Sequence, residues 1–244
     1  MKQNKYDEIN FFSEYEKMPR SVQGLNAAGE WHVLKALLPD LREKTVLDLG
    51  CGFGWHCRYA RVQQAKTVIG VDLSEKMLQK AQEKTNDPFI TYLKMPIEDI
   101  HFSASQFDVI ISSLAIHYVQ PFETLCKKLY AYLTPNGSFI FSVEHPLFTS
   151  RHEQDWYYDK DGNRLHWAVD HYQTEGIRET NFLTQNVIKY HRTLSTYINV
   201  LIQAGFRVSA VKEPMPSEEM LKNIPEMRDE LRRPMFLIIS AEKK

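Results

Sequence analysis

From Thr45 onward, short apolar runs rich in β-branched residues alternate with longer stretches of helical periodicity. That alternation predicts a mainly parallel sheet covered by helices, an α/β three-layer sandwich. Strands are expected at 45–49, 67–72, 89–94, 107–113, 138–144, 206–212 and 235–241, and helices at 55–63, 75–84, 122–132 and 193–204. Ser74 is placed to cap the second helix, Pro135-Asn136-Gly137 to turn the chain into the fifth strand, and Gly205 to close the last helix. Ahead of this core, Phe11, Tyr15, Leu25, Trp31, Leu34 and Leu38 recur at helical spacing, which predicts one or two helices within residues 1–44.

The segment 145–192 breaks the alternation and is rich in aromatics, among them Trp156, Tyr157, Tyr158, Trp167 and Tyr172. Asp161-Gly162 suits a tight turn, so 156–158 and 165–169 are expected to pair as a hairpin. An insertion at the carboxyl end of a parallel strand lies where such sheets bind ligands, which marks it as an aromatic lid after the fifth strand.

Composition narrows the partners more than the fold. A chain of 244 residues, 43% hydrophobic and 25% charged, is expected to build one core. The expected single domain comprises a cap at 1–44, a core at 45–144, the lid at 145–192 and the rest of the core at 193–244. Lys and Arg number 30 against 31 Asp and Glu, with no block of either sign, so nucleic acid and anionic membranes are not expected partners. A small-molecule partner is favoured, and nothing in the pattern speaks to oligomeric state. The N-terminus carries no apolar leader and no run reaches eighteen apolar residues, so a cytoplasmic location is expected. Cys51, Cys57 and Cys126 show no CxxC spacing and read as free thiols.

The chemistry concentrates where the first strand ends, at Val46-Leu47-Asp48-Leu49-Gly50-Cys51-Gly52-Phe53-Gly54. Glycines between a strand and a helix let bare backbone N–H groups approach a ligand. Tight strand-to-helix packing alone also explains such a turn. Asp72, ending the next strand, changes the balance: adjacency would set its carboxylate across the crevice, where two acceptor oxygens suit the hydroxyls of a ribose. Trp55 stands where a dinucleotide fingerprint requires its third glycine. Asp48 adds a carboxylate suited to a cationic or amine-bearing ligand rather than a pyrophosphate.

Leu47 to Gly54 resembles the first motif of class I, Rossmann-like S-adenosylmethionine (SAM)-dependent methyltransferases, and Val71-Asp72-Leu73-Ser74 resembles their second. Gln106-Phe107-Asp108-Val109-Ile110 and Tyr132-Leu133-Thr134-Pro135-Asn136-Gly137-Ser138 extend the likeness to the fourth and fifth strands. The resemblance implies seven strands with the last one antiparallel. It also implies that Gly50, Cys51 and Gly52 surround the methionine part of SAM, with Asp48 near its amine and Asp72 on its ribose. Leu73 and Met77 would flank the adenine, with Ile97 or Glu98 offering backbone contact because Pro96 occupies the usual acidic position. Arg20, Ser113 and Tyr15 would close the methionine end; Tyr15 would also face the acceptor.

Methyl transfer from a sulfonium is an in-line displacement in which alignment alone is worth about 7–11 kcal/mol, so a dedicated base is optional. After the fourth strand the chain reads Ser112-Ser113-Leu114-Ala115, unlike the Asn/Asp-Pro-Pro-aromatic tetrapeptide of amino-methylating enzymes. His117, Glu144 and His145 are the candidate catalytic groups at the expected pocket mouth. Trp156, Trp167, Tyr172, His191 and Arg192 are the candidate acceptor contacts, an aromatic lining with a guanidinium available to a carboxylate. The histidines of the insertion match no tight ligand spacing, so no metal is expected. The reading is methyl transfer to an O, N or C atom of a small molecule. A nicotinamide-dependent oxidoreductase on a Rossmann-type fold and a non-catalytic SAM-binding module are the alternatives.

Overall fold

The computed structural model describes residues 3–244; Met1 and Lys2, counted above in the N-terminal cap, lie outside the described residues. The chain opens with α1 (Ile9–Lys17), α2 (Pro19–Val22) and α3 (Trp31–Leu37), three helices where one or two were expected. Then follow β1 (Thr45–Leu49), α4 (Trp55–Val62), β2 (Thr67–Asp72), α5 (Glu75–Glu83), β3 (Ile90–Lys94), β4 (Phe107–Ser113), α6 (Phe122–Tyr132), β5 (Leu133–Glu144) and α7 (Pro146–Thr149). Two hairpins, β6 (Trp156–Tyr158) with β7 (Arg164–Trp167) and β8 (Gly176–Phe182) with β9 (Thr184–His191), precede α8 (Leu194–Gln203), β10 (Phe206–Lys212), α9 (Glu218–Asn223) and β11 (Phe236–Lys243).

Seven strands form one sheet in the order β10-β11-β5-β4-β1-β2-β3. All its pairings are parallel except those of β11, which runs antiparallel to both neighbours. Val46, Leu47 and Leu49 on β1 and Val109, Ile110 and Ile111 on β4 are buried on both faces of the sheet, which is why these strands read as continuous apolar runs. Phe122, Leu125, Leu129, Tyr197 and Leu201 cover one face from α6 and α8, while Trp31, Leu34, Cys57, Ala60 and Leu78 cover the other. β5 starts five residues earlier than expected: Leu133 pairs with Phe107 and Ser138 with Val109, so Pro135-Asn136-Gly137 bulges out inside the strand rather than preceding it.

The strand order reverses between β1 and β4, and the chain leaves both at the same edge, opening a crevice at their carboxyl ends. Among the described residues no helix is long and apolar enough to cross a membrane.

Candidate active site

At that crevice lies a cavity of about 400 Å3. Gly50, Gly52 and Gly54 all have positive φ, at 72°, 51° and 72°, as the chain turns from β1 into α4. A Cβ on Gly50 would sit 2.3 Å from that of Ala115, whereas one on Gly52 would meet nothing within 4 Å, so the loop presents bare backbone to open space. Asp72 lies on the cavity wall, its Oδ2 accepting the Gly52 N–H at 2.8 Å and its Oδ1 the Ser74 N–H at 2.9 Å. Burial raises its pKa against the pull of these donors. Leu73, Met77, Pro96, Ile97 and Glu98 continue the wall as a slot whose faces are apolar.

Arg20 and Ser113 border the opposite end of the loop. Glu30, almost wholly buried, binds the Arg20 guanidinium at 3.1 Å and accepts from Ser113 Oγ at 2.9 Å. Burial opposes the Glu30 charge most strongly, but Arg20 and the hydrogen bonds from the backbone and Ser113 together outweigh it, and its pKa falls below the ordinary value. Two residues expected around the methionine end do not reach the main cavity. Cys51 borders an adjoining void of about 50 Å3 that shares Tyr15, Arg20, Gly50, Gly52 and Ser113 with the main cavity, its thiol pushed up to about 11 by burial. Asp48 lies beneath the loop, where burial raises its carboxyl to about 7. Its Oδ2 accepts from the Cys57 thiol at 3.2 Å and its Oδ1 has no partner.

Across the cavity stand His117, Tyr118, Glu144 and Lys189. Lys189 Nζ lies 2.6 Å from Glu144 Oε1 and 3.0 Å from Gln154 Oε1, while Gln154 Nε2 donates to Glu144 Oε2 at 3.2 Å. Burial disfavours the Glu144 charge, yet Lys189 and His117 hold its pKa below the ordinary value. His117 is buried and its pKa is lowered to about 4, the desolvation outweighing the attraction of Glu144. The Glu144 N–H donates to His117 Nδ1 at 3.4 Å. A neutral ring accepting there carries its proton on Nε2, which makes His117 a hydrogen-bond donor rather than a base near pH 7.

Several residues expected at the acceptor end are elsewhere, and each has a structural task. His145 caps α7, its Nδ1 accepting from Leu147 N–H, and pairs through Nε2 with Glu213 at 2.9 Å. Trp167 stacks behind Phe148 at 5.0 Å, donates its indole N–H to the Leu147 carbonyl, and meets Trp156 edge-on; Arg233 sits 4.1 Å over the Trp167 ring. Tyr172 accepts from the Leu194 N–H, and His191 spans Thr149 Oγ1 and the Tyr172 carbonyl. Arg192 donates to the Val119 and Gln120 carbonyls and lies over Phe122. None of these six lines the cavity, because each satisfies a buried partner or packs a hairpin against the core.

The roof comes instead from the N-terminal segment and the second hairpin. Gln3 donates to the Asn186 carbonyl at 2.7 Å and accepts the Ile188 N–H at 2.9 Å, lashing the N-terminal segment to β9. Asp7 accepts from Ser74 Oγ at 2.5 Å and from the Lys76 N–H, fixing it to α5. Tyr6, Tyr15, Asn181 and Phe182 then close over the cavity. Apart from Tyr15, sequence reasoning missed these residues and Lys189; an inward lysine on an amphipathic strand carries no signal of its own. Among the described residues no group of three His, Cys, Asp or Glu is placed to hold a metal ion.

Backbone open to the cavity at Gly52, a wall carboxylate at Asp72 and an apolar slot suit a ligand with a ribose and a flat base. Comparison with known proteins agrees. Residues 47–141 match a family profile described as a methyltransferase domain. A Listeria monocytogenes protein provisionally assigned as a SAM-dependent methyltransferase is 55% identical with a TM-score of 0.86, over 91% of this chain and 99% of that one. The SAM-dependent methyltransferase of Mesorhizobium loti is 42% identical with a TM-score of 0.85, over 90% and 100%. An uncharacterized Haemophilus influenzae protein is 38% identical over 98% of this chain and 96% of its own. These likenesses displace the nicotinamide reading, and the chain belongs to the SAM-dependent methyltransferase family, an enzyme whose methyl donor is S-adenosylmethionine.

Proposed function

We propose that the enzyme methylates an O, N or C atom of a small molecule held between the glycine loop and the Glu144-Lys189 pair. The observation that carries this reading is one continuous cavity, walled by Gly50, Gly52, Asp72 and Met77 at one end and by His117, Glu144 and Lys189 at the other. Its roof of Tyr6 and Phe182 leaves room for a small acceptor rather than for a folded chain or a duplex, and the near-zero net charge gives polyanions no footprint.

Bound SAM supplies a methyl group on a sulfonium, an already activated leaving group, so the protein's work is alignment and exclusion of water. In this reading Asp72 accepts from the ribose hydroxyls, Leu73, Met77 and Ile97 sandwich the adenine, and Arg20 with Ser113 meets the amino-acid end. Asp48 supports the loop from below rather than contacting the ligand. Glu144, kept ionised by Lys189, accepts a hydrogen bond from the acceptor's hydroxyl or amine, and His117 donates one. Tyr6, Tyr118 and Phe182 keep the reacting atom dry.

Methyl-labelled SAM incubated with the enzyme and a fractionated cell extract tests this. Label should appear in the small-molecule fraction; label confined to protein or nucleic acid, or none transferred, contradicts it.

A further inference from the structure

A second cavity, of about 570 Å3, lies beside the first. Met18, Arg20, Met235 and Phe236 line both, so the two share one wall. Its outer side is built from residues 213–235, the connection between β10 and β11. Those strands are antiparallel neighbours with Lys212 opposite Ile238, a junction that about two to five residues can close. The chain instead makes α9 and a 3-10 helix at Pro225–Arg232.

The lining states the chemistry. Met18, Met220, Met227 and Met235 contribute four thioether side chains, joined by Ile224 and Phe236, and methionine adapts its shape to flexible apolar guests. Of the three carboxylates at its edge, Glu30 is taken by Arg20 and Glu230 by Arg233 at 2.6 Å, while Glu219 lies exposed at the rim, so the inner lining is mainly apolar.

We propose that this second cavity holds the apolar tail of the methyl acceptor, whose reacting head lies by Glu144 in the first cavity. The inference rests on the small-molecule reading above and narrows it to an elongated amphiphile. Met18, Met235 and Phe236, which border both cavities, then flank the junction at which head and tail are joined, and Arg20, pinned by Glu30, is its polar edge. The residues 213–235 serve as the tail-binding lobe.

The test is a titration of 1-decanol into the enzyme loaded with S-adenosylhomocysteine, followed by the methyl resonances of 13C-labelled methionines. Met220 and Met227 should shift saturably, and 1-octanol should bind at least tenfold more weakly, since each buried methylene contributes about fourfold. Met227→Trp and Ala27→Phe fill the cavity from opposite walls, and each should abolish the shifts. Met77, on the wall of the first cavity, reports the adenosyl ligand in the same spectra, so a fault in the donor-site reading appears there and not at Met220 or Met227. Shifts that never saturate, that survive both substitutions, or that are absent overturn the proposal. The labelled product from the extract experiment should partition into octanol; a product that stays in water contradicts the tail site as well.

Discussion

Lys189 Nζ and Glu144 Oε1 lie 2.6 Å apart in a buried ion pair that ties the roof hairpin to the carboxyl end of β5. Lys189 → Met strands a carboxylate at the cavity wall, and such losses cost about 3–5 kcal/mol. Glu144 → Gln strands the ammonium in the same way. The double variant should recover much of that cost, because no buried charge then lacks a partner. Urea unfolding of the four proteins measures the coupling; additive losses would mean that the pair is not buried in solution.

The pH dependence of stability should carry the mark of Asp48. Its folded pKa is pushed up to about 7 by burial, against an ordinary value of 3.8. Between those values the folded chain retains a proton that the unfolded chain has released. The stabilisation from Asp48 is therefore complete at low pH and is lost as pH rises toward 7. Asp48 → Asn keeps an acceptor for Cys57 and does not titrate. The stability of this variant relative to the parent should grow from pH 4 to 7, by about 1.4 kcal/mol per unit in mid-window, and level off above. A difference independent of pH would place the carboxyl in water.

Arg20 → Ala should act twice. It removes the guanidinium at the loop's end, weakening SAM by about 10- to 100-fold if a charge-assisted contact is lost, and it leaves Glu30 buried without its cation. Calorimetry and unfolding together test both effects; an unchanged SAM affinity would remove Arg20 from the donor site.

Trp167 → Ala should do the opposite, because Trp167 packs behind Phe148 and under Arg233 rather than facing the cavity. A loss of about 1–3 kcal/mol in stability is expected, below that of a core aromatic because Trp167 is only half-buried. SAM affinity in the remaining folded protein should stay within twofold. A large change in affinity with little change in stability would return this residue to the pocket.

These contrasts show which parts of the molecule the sequence reveals. β1, β2, β4 and β10 fall at their expected residues, since a strand covered on both faces is an unbroken apolar run and one bounded by a cap or turn has visible ends. The glycine loop is legible because positive φ at 50, 52 and 54 demands glycine. The roof hairpin β8-β9 is not: Leu183 takes its turn at φ 60° without a glycine or asparagine, and its inward positions include Arg178, Thr180 and Lys189. The aromatics of 156–172 misled for a related reason. Composition marks a residue as wanting an apolar partner, and Trp156 and Trp167 find it in one another and Phe148, and Tyr172 in His191 and the start of α8, instead of in the cavity.

The donor site rests most heavily on Asp72, and titration calorimetry of SAM into the parent enzyme and Asp72 → Ala tests it directly. One SAM per chain is predicted for the parent, with at least a tenfold loss in the variant while its melting temperature without ligand stays within a few degrees. Equal affinity in the two proteins would contradict the assignment of the cavity beside Gly52 and Asp72 as the place where the methyl donor binds.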